Sequence, residues 1–355
     1  MIDLKRQLNI QNRKVDENSP CFIIAEAGVN HNGDMKLAIK LIDEAKKAGA
    51  DCVKFQTFST EFCESQYSLK PSYFNGRDSD QNKLDFSKGL EFNKDEFKIL
   101  KQYCDEVGII FMSMAADLPS LEILVDIGTP AIKIGSSDTL NYPLFKYLGQ
   151  TKLPVIYSTG ISTIQDVEQG INYLTENGVT QLAVLQCTSQ YPAPIEDINL
   201  KVMDTYKALF NVPIGLSDHS KGLHIPYAAV ARGAKIIEKH FTLSRNLPGV
   251  DHIASIEPFE LAEMVQNIRE IEKALGTGIK EIKKSESEHL QSMRKSLFSL
   301  RDIKKGEYFT LENLGAKRPG GGILPTEIDK FIGKYAKVDI KADEFLEWDM
   351  IDYDL

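Results

Sequence analysis

The sequence predicts an α/β chain: a (β/α)8 (TIM) barrel followed by a small, mostly β module. Three observations predict it. Short β-rich runs alternate with segments of helical periodicity from residue 21 to about residue 275, and such alternation implies parallel strands joined by crossover helices. Eight units fall within about 250 residues, the size of a barrel. Past a charged, apolar-poor stretch at 276–296, the pattern changes to short strands and turns rich in glycine and charge. The chain therefore divides into a barrel domain at 1–275, a linker at 276–296 and a β module at 297–355. A doubly wound sheet is the alternative reading of the same alternation.

The expected strands are CFIIAE (21–26), CVKFQ (52–56), IIFMS (109–113), AIKIG (131–135), VIYST (155–159), LAVLQ (182–186), VPIGLS (212–217) and KIIEKH (235–240). Between them, residues 35–50, 95–108 and 163–178 carry helical periodicity, and several such segments run into glycine, the usual helix stop. A long polar and aromatic insert at 62–91 follows the second strand. It begins on the side where barrel active sites lie, so it reads as a lid, a substrate loop or a plain insertion.

Composition narrows the function classes. Hydrophobic residues make up 42% and charged residues 26%, which is ordinary globular usage and not that of a disordered chain. The net charge of −9 argues against nucleic acid, because an acidic surface repels a polyanion before contact. One small anionic ligand needs only a few local cations. No run of about 18 apolar residues is long enough for a membrane span, and residues 1–20 show no signal-peptide core. The five cysteines are scattered, without a C-x-x-C pair, so disulfides and a thiolate zinc site are not expected. Cys21, Cys52 and Cys187 read as small hydrophobes in strands. The expectation is a reduced, soluble, cytoplasmic protein.

A barrel carries its chemistry at the C-terminal ends of its strands, and here all eight ends are polar. They present Glu26, Lys54 with Gln56, Ser113, Lys133 with Ser136–Asp138, Ser158 with Thr159, Gln186–Tyr191, Ser217–His219, and Glu238–His240. Histidine is scarce, with six in the chain. His219 and His240 close successive strands and can hold a divalent cation, with Glu26 or Glu238 and waters completing the shell. The alternative is a pair of hydrogen-bonding structural histidines. His31 and His252 suit substrate-contacting or supporting positions, and His224 and His289 suit helix or surface positions. A lysine within a strand must be paired, bind an anion or be catalytic. Lys54 and Lys133, with the hydroxyls of Ser136, Ser158 and Ser217, suit a phosphate or carboxylate. Two alternatives stay open: a Schiff-base aldolase using Lys133, and salt bridges to Glu26 or Glu238.

The segments IIAEAGVNHNGD, AGADCVKFQTF, KIGSSDTLNYP, YSTGIS, LQCTSQYPAP, IGLSDHS and EKHFTLSRNLPGVDH resemble those of the N-acetylneuraminate (sialic acid) synthases and their bacterial nonulosonic acid relatives. The tail KGEYFTLENLGAKRPGGGI resembles that family's antifreeze-like (SAF) domain. The similarity runs from about residue 20 to 350. It implies condensation of phosphoenolpyruvate with an N-acylated amino-sugar aldehyde, either N-acetylmannosamine or a diacetamido-trideoxyhexose analogue, with release of phosphate.

Carried over by resemblance, His219 and His240 match the ligands of a divalent metal, usually Mn2+, with Mg2+ or Co2+ as alternatives. Lys54, Lys133, Ser136, Ser158 and Ser217 match the phosphoenolpyruvate-binding set. Glu26, Gln56, Tyr191, Glu238 and Asp251 match residues around the sugar and metal, and Ser189 stands at another sugar-side position. Arg318 matches an arginine that the antifreeze-like domain inserts into the partner subunit's site, which implies a domain-swapped homodimer. Two segments depart from the family pattern. Ser113-Met114-Ala115-Ala116 replaces S-T-P-F, and Thr188-Ser189-Gln190-Tyr191-Pro192 replaces T-N-x-Y-P. These changes put the acceptor sugar in question and leave a catalytically altered paralogue as a rival.

Overall fold

A computed structural model describes residue 4, residues 6–69 and residues 83–353; of the 62–91 insert, positions 70–82 lie outside that set. The described chain forms two compact units, Met1–Gly276 and Thr277–Leu355.

The first unit opens with an antiparallel hairpin of β1 (Leu8–Ile10) and β2 (Arg13–Val15). Eight strands follow: β3 (Phe22–Gly28), β4 (Cys52–Thr57), β5 (Ile110–Ala115), β6 (Ile132–Ile134), β7 (Val155–Ser158), β8 (Leu182–Cys187), β9 (Ile214–Asp218) and β10 (Ile236–His240). They pair in parallel in chain order, and β10 returns to β3 to close a barrel. A closed ring rules out the doubly wound alternative. The connecting helices are α1 (Met35–Lys47), α2 (Thr60–Cys63), α3 (Lys83–Lys88), α4 (Lys94–Val107), α5 (Leu118–Asp126), α6 (Tyr142–Thr151), α7 (Ile164–Glu176), α8 (Val202–Leu209), α9 (His224–Ala231) and α10 (Pro258–Leu275).

Local sequence explains where these helices begin and end. Asn93 and Glu96 form a reciprocal capping box at the start of α4, and Gly108 ends it at φ 75°, a left-handed angle that glycine adopts without steric cost. Thr163 and Asp166 start α7 in the same way, each satisfying a backbone N–H that the first turn leaves unpaired.

Strand periodicity sorts the side chains into two cores. Ile23, Ala25, Val53, Phe55 and Phe111 face outward and pack against the helices. Phe22, Ile24, Cys52, Ile110, Met112, Ile156, Leu185 and Ile236 fill the barrel interior, joined by Leu8, Ile10 and Val15 of the N-terminal hairpin. The hairpin thus plugs the barrel floor, and the interior apolar layers carry the polar layer above them. In the second unit, β11 (Ser296–Ser299) pairs with β12 (Leu314–Lys317), and β13 (Tyr335–Ala336) with β14 (Ile351–Asp352). They surround a small core of Leu297, Ile303, Phe309, Phe331, Ile340 and Leu346. The stretch expected as a plain linker carries two short helical turns, Lys284–Ser287 and Leu290–Met293, and β11 already begins at Ser296.

Candidate active site

The period of two that sends Ile24 into the barrel also sends Glu26 there, and the same rule places Lys54 above Cys52, Lys133 above Ala131 and Glu238 above Ile236. The result is a buried four-charge cluster. Lys54 Nζ lies 2.8 Å from Glu26 and 3.8 Å from Glu238, and Lys133 Nζ lies 3.4 Å from Glu238. Lys133 also donates to Ser158 Oγ at 2.6 Å, and Ser217 donates to Glu238 at 3.0 Å. The salt bridges considered from sequence are therefore formed, by the same lysines proposed to hold an anion.

The two carboxyls differ because their surroundings differ. Burial raises Glu26, the single lysine beside it only partly opposes this, and the Glu238 charge adds to it, leaving Glu26 at about 7. Burial also acts on Glu238, but Lys133, Lys54 and the Ser217 hydroxyl outweigh it and hold Glu238 below the usual carboxylate range. Lys133 is lowered, first by burial and then by Lys54. Paired groups pushed in opposite directions are a mark of acid–base sites.

One layer higher, the rings of His219 and His240 lie 5.4 Å apart, with Tyr191 4.1 Å from His219 and 5.6 Å from His240. His219 Nδ1 lies 2.8 Å from the Thr188 carbonyl. His240 Nδ1 has no hydrogen-bond partner among the described residues, and its nearest carboxylate is Asp251 at 3.7 Å. Burial, followed by the charge of His219 and the lysines, holds His240 neutral. Gly28 lets the chain pass close at φ 54°; an added Cβ would meet Gln56, Glu26 and His240 at 3.3–3.5 Å. Gln56 in turn donates to Glu26 at 3.1 Å.

A cavity of about 680 Å³ opens over this layer, lined among others by Gln56, Ser136, Ser189, Tyr191, His240 and Asp251. Met114 and Ala116, from the departing segment after the third barrel strand, also form its wall. The described ends of the insert contribute Cys63, Glu64, Ser68, Phe86, Ser87 and Leu90. Arg318 is exposed on the second unit, in the turn after β12.

Several strand-end residues do not converge. Ser113 points outward to Thr57 at 2.8 Å, Gln186 bonds the Ile198 carbonyl, and Asp218 pairs with Lys239 at 2.5 Å on the helix side of the barrel. Each sits one residue out of phase with the inward set. Among the described residues no group of three or more His, Cys, Asp or Glu is arranged to hold a metal. Cys187 is no plain hydrophobe. It points inward, 3.8 Å from His219 Nδ1; burial raises its thiol, but His219, Ser136 and Lys133 together outweigh burial and draw it to about 7. Its place two residues after Leu185 was the available signal. His252 is buried behind Asp251, bonded to Thr242 at 2.6 Å. His31 is buried against Phe92, with ring centroids 4.1 Å apart. His224 and His289 are exposed, as expected.

Residues 41–280 match the NeuB family, and residues 294–352 match the SAF domain. The chain belongs to the NeuB family. Among NeuB relatives, it is 42% identical over 328 residues to the N,N'-diacetyllegionaminic acid synthase of Campylobacter jejuni, covering 92% of this chain and 98% of that one. It is 36% identical to the human N-acetylneuraminate-9-phosphate synthase, covering 96% and 95%. The crystal structure of the N-acetylneuraminic acid synthetase from Leptospira borgpetersenii superposes with a TM-score of 0.71 at 37% identity, covering 81% of this chain and 96% of that one. The NeuB chain is thus a synthase-type enzyme.

Proposed function

We propose that the barrel joins C3 of phosphoenolpyruvate to the aldehyde carbon of an N-acylated amino sugar and releases phosphate. The observation that carries this reading is the pair of buried strand lysines, set among serine hydroxyls directly below two imidazoles. Lys54, Lys133, Ser136, Ser158 and Ser217 fix the phosphate and carboxylate of phosphoenolpyruvate, and Lys54, Lys133 and Ser217 exchange their contacts with Glu26 and Glu238 for contacts with the substrate. Positioning of this kind lowers a barrier by several kcal/mol. Gln56, Ser189, Tyr191 and Asp251 face the sugar from the cavity wall.

The site fits a divalent cation such as Mn2+, Mg2+ or Co2+. His219 and His240 would hold it: His240 is neutral with an unpartnered ring nitrogen, and His219 is oriented by the Thr188 carbonyl. When bound, such an ion polarises the aldehyde oxygen as a Lewis acid. Bond formation leaves C2 electron-poor, and Glu26, poised at about 7, takes a proton from the water that adds there. The hemiketal phosphate then breaks its C2–O bond, and phosphate departs.

The test is phosphate release from phosphoenolpyruvate with Mn2+ across a panel of amino-sugar aldehydes. Release with at least one acceptor supports the reading, and silence across the panel favours an altered paralogue. Lys133, lowered by burial, also suits a Schiff-base aldolase. A borohydride-trapped adduct with pyruvate would establish that reading instead. Arg318, exposed on the SAF unit, is proposed to complete the site of a second copy in a domain-swapped homodimer. Supporting this are its place in the AKRPGGG segment and the SAF match.

A further inference from the structure

The loop after the first barrel strand, residues 29–34, reads VNHNGD, and none of the roles assigned above uses its two asparagines. Asn30 is 2% exposed, and a buried amide is tolerated only where hydrogen bonds replace its water. Its side chain donates twice across the junction of β3 and β10, to the Phe241 carbonyl at 2.9 Å and to Ser255 Oγ at 3.0 Å. Ser255, itself buried, passes the tie on by donating to the Asp251 carbonyl at 2.7 Å. The same carbonyl accepts from the Ala254 N–H at 3.2 Å, so the Ser255 hydroxyl closes the short turn that Asp251 begins.

Both ends of this chain of bonds lie beside the site. Phe241 directly follows His240, and its own N–H donates to the Glu26 carbonyl at 2.9 Å. Asp251 sets its carboxyl 3.7 Å from His240 Nδ1, on the wall of the cavity over the charged cluster. One amide thus holds the peptide after His240 and, through one hydroxyl, the peptide of Asp251. Asn32 fastens the far side of the same loop: it donates to the Pro248 carbonyl at 2.7 Å, and its Oδ1 lies 3.3 Å from His252 Nε2. Between β10 and α10 the regular structure is one three-residue turn, His252–Ala254, and a single bridge from Phe241 to Ile256. Side chains from the loop after β3 therefore stand in for the backbone ladder that would otherwise hold this segment.

We propose that Asn30 is a positioning residue: through Ser255 it sets the Asp251 carboxyl against His240, where the acceptor aldehyde is received. The inference rests on the synthase reading and adds to it a residue that touches neither substrate, since neither Asn30 nor Ser255 lines the cavity. Phosphoenolpyruvate lies on lysines and serines of other strands, so the clamp acts on the acceptor. Asn30→Asp keeps the shape and removes both donors. Ser255→Ala removes the link to Asp251, and Ser255→Thr keeps the hydroxyl.

The experiment measures kcat/KM for the acceptor, N-acetylmannosamine or a 2,4-diacetamido-trideoxyhexose, and KM for phosphoenolpyruvate. The variants are these three, Asp251→Ala, and Asp251→Ala combined with Ser255→Ala. Hydrogen exchange of the amides at 241–256 and melting curves are recorded on the same samples. Asn30→Asp and Ser255→Ala are expected to lose about 10–100-fold in kcat/KM for the acceptor, the cost of a misplacement of about 1 Å. KM for phosphoenolpyruvate stays unchanged, exchange at 249–255 quickens, and Ser255→Thr recovers the acceptor constant. In the Asp251→Ala background, Ser255→Ala adds no further loss. Additive losses in that double variant, equal rises in both KM values, or an unmoved acceptor constant overturn the positioning role and leave the synthase reading intact. If Asn30→Asp fails to fold, the Ser255 pair decides by the same criteria. A wild type silent with both acceptors removes the synthase reading instead, and unchanged exchange at 249–255 then overturns the clamp on its own.

Discussion

Lys239 and Asp218 form a buried ion pair on the helix side of the barrel, with side chains 1% and 0% exposed and 2.5 Å apart. Lys239 also donates to the Ser220 carbonyl at 2.7 Å, and Asp218 accepts from the Ser220 N–H at 3.0 Å. The pair therefore ties β10 to the loop that carries His219. Lys239→Met keeps the volume and removes the charge, leaving an uncompensated carboxylate in the interior. Breaking a buried pair from one side costs about 3–5 kcal/mol. At about 2–4 °C per kcal/mol for a domain of this size, the melting temperature should fall by roughly 6–20 °C. The double substitution Lys239→Met with Asp218→Leu removes both charges and should recover most of the loss, because apolar replacement of a buried pair is often neutral. The assay is thermal unfolding followed by circular dichroism, with urea titration as a second measure. A single-variant loss below about 1 kcal/mol, the size expected of a surface pair, refutes the reasoning. So does a double variant no better than the single.

Three further outcomes follow from the geometry. His31 is held neutral by burial, down to about 4 from 6.5; a depressed histidine stabilises fully above pH 6.5 and loses that contribution as pH falls towards 4. At about 1.4 kcal/mol per pH unit the interval amounts to roughly 3 kcal/mol, and His31→Phe should flatten the urea-midpoint profile across that window. Gly160→Ala places a methyl 2.1 Å from Ser189 Oγ and 2.8 Å from Ser136 Oγ, so KM for phosphoenolpyruvate should rise about tenfold while the melting temperature holds; an unchanged KM contradicts the placement of Ser136. Chelation with EDTA, His219→Ala and His240→Ala should each abolish turnover, with Mn2+ restoring only the chelated wild type; full activity after chelation removes the metal from the account.

Much of the fold was legible because the barrel strands alternate with helices, among them the capped α4 and α7, and the glycine stops at Gly108 and Gly178 punctuate the chain. Strand boundaries moved by one or two residues, and those small shifts had consequences. In IIFMSMAA both faces of the strand are apolar, as is usual in a parallel sheet, so nothing local says whether Ser113 or Met114 enters the barrel. A slip of one residue exchanges the faces, and Met114 is the one that lines the cavity. The same ambiguity hid Cys187, which looks apolar in LAVLQC but shares its phase with Leu185. Asp218 and Lys239 were polar strand ends like any other; only the closed ring shows that they meet each other outside the site. The floor hairpin was missed because LNI and RKV are each too short to carry a period. Lys54, Lys133, Glu26, Glu238, His219 and His240, by contrast, were legible as a set, because a charge inside a strand has few explanations.

The most direct test of the central claim follows the bridging oxygen of phosphoenolpyruvate. With that oxygen labelled as 18O, Mn2+ present and an N-acylated amino-sugar aldehyde as acceptor, the account predicts acceptor-dependent phosphate release, one phosphate per aldehyde consumed, with the label in the phosphate. Label retained in the sugar product, or phosphate released equally well without acceptor, would contradict it.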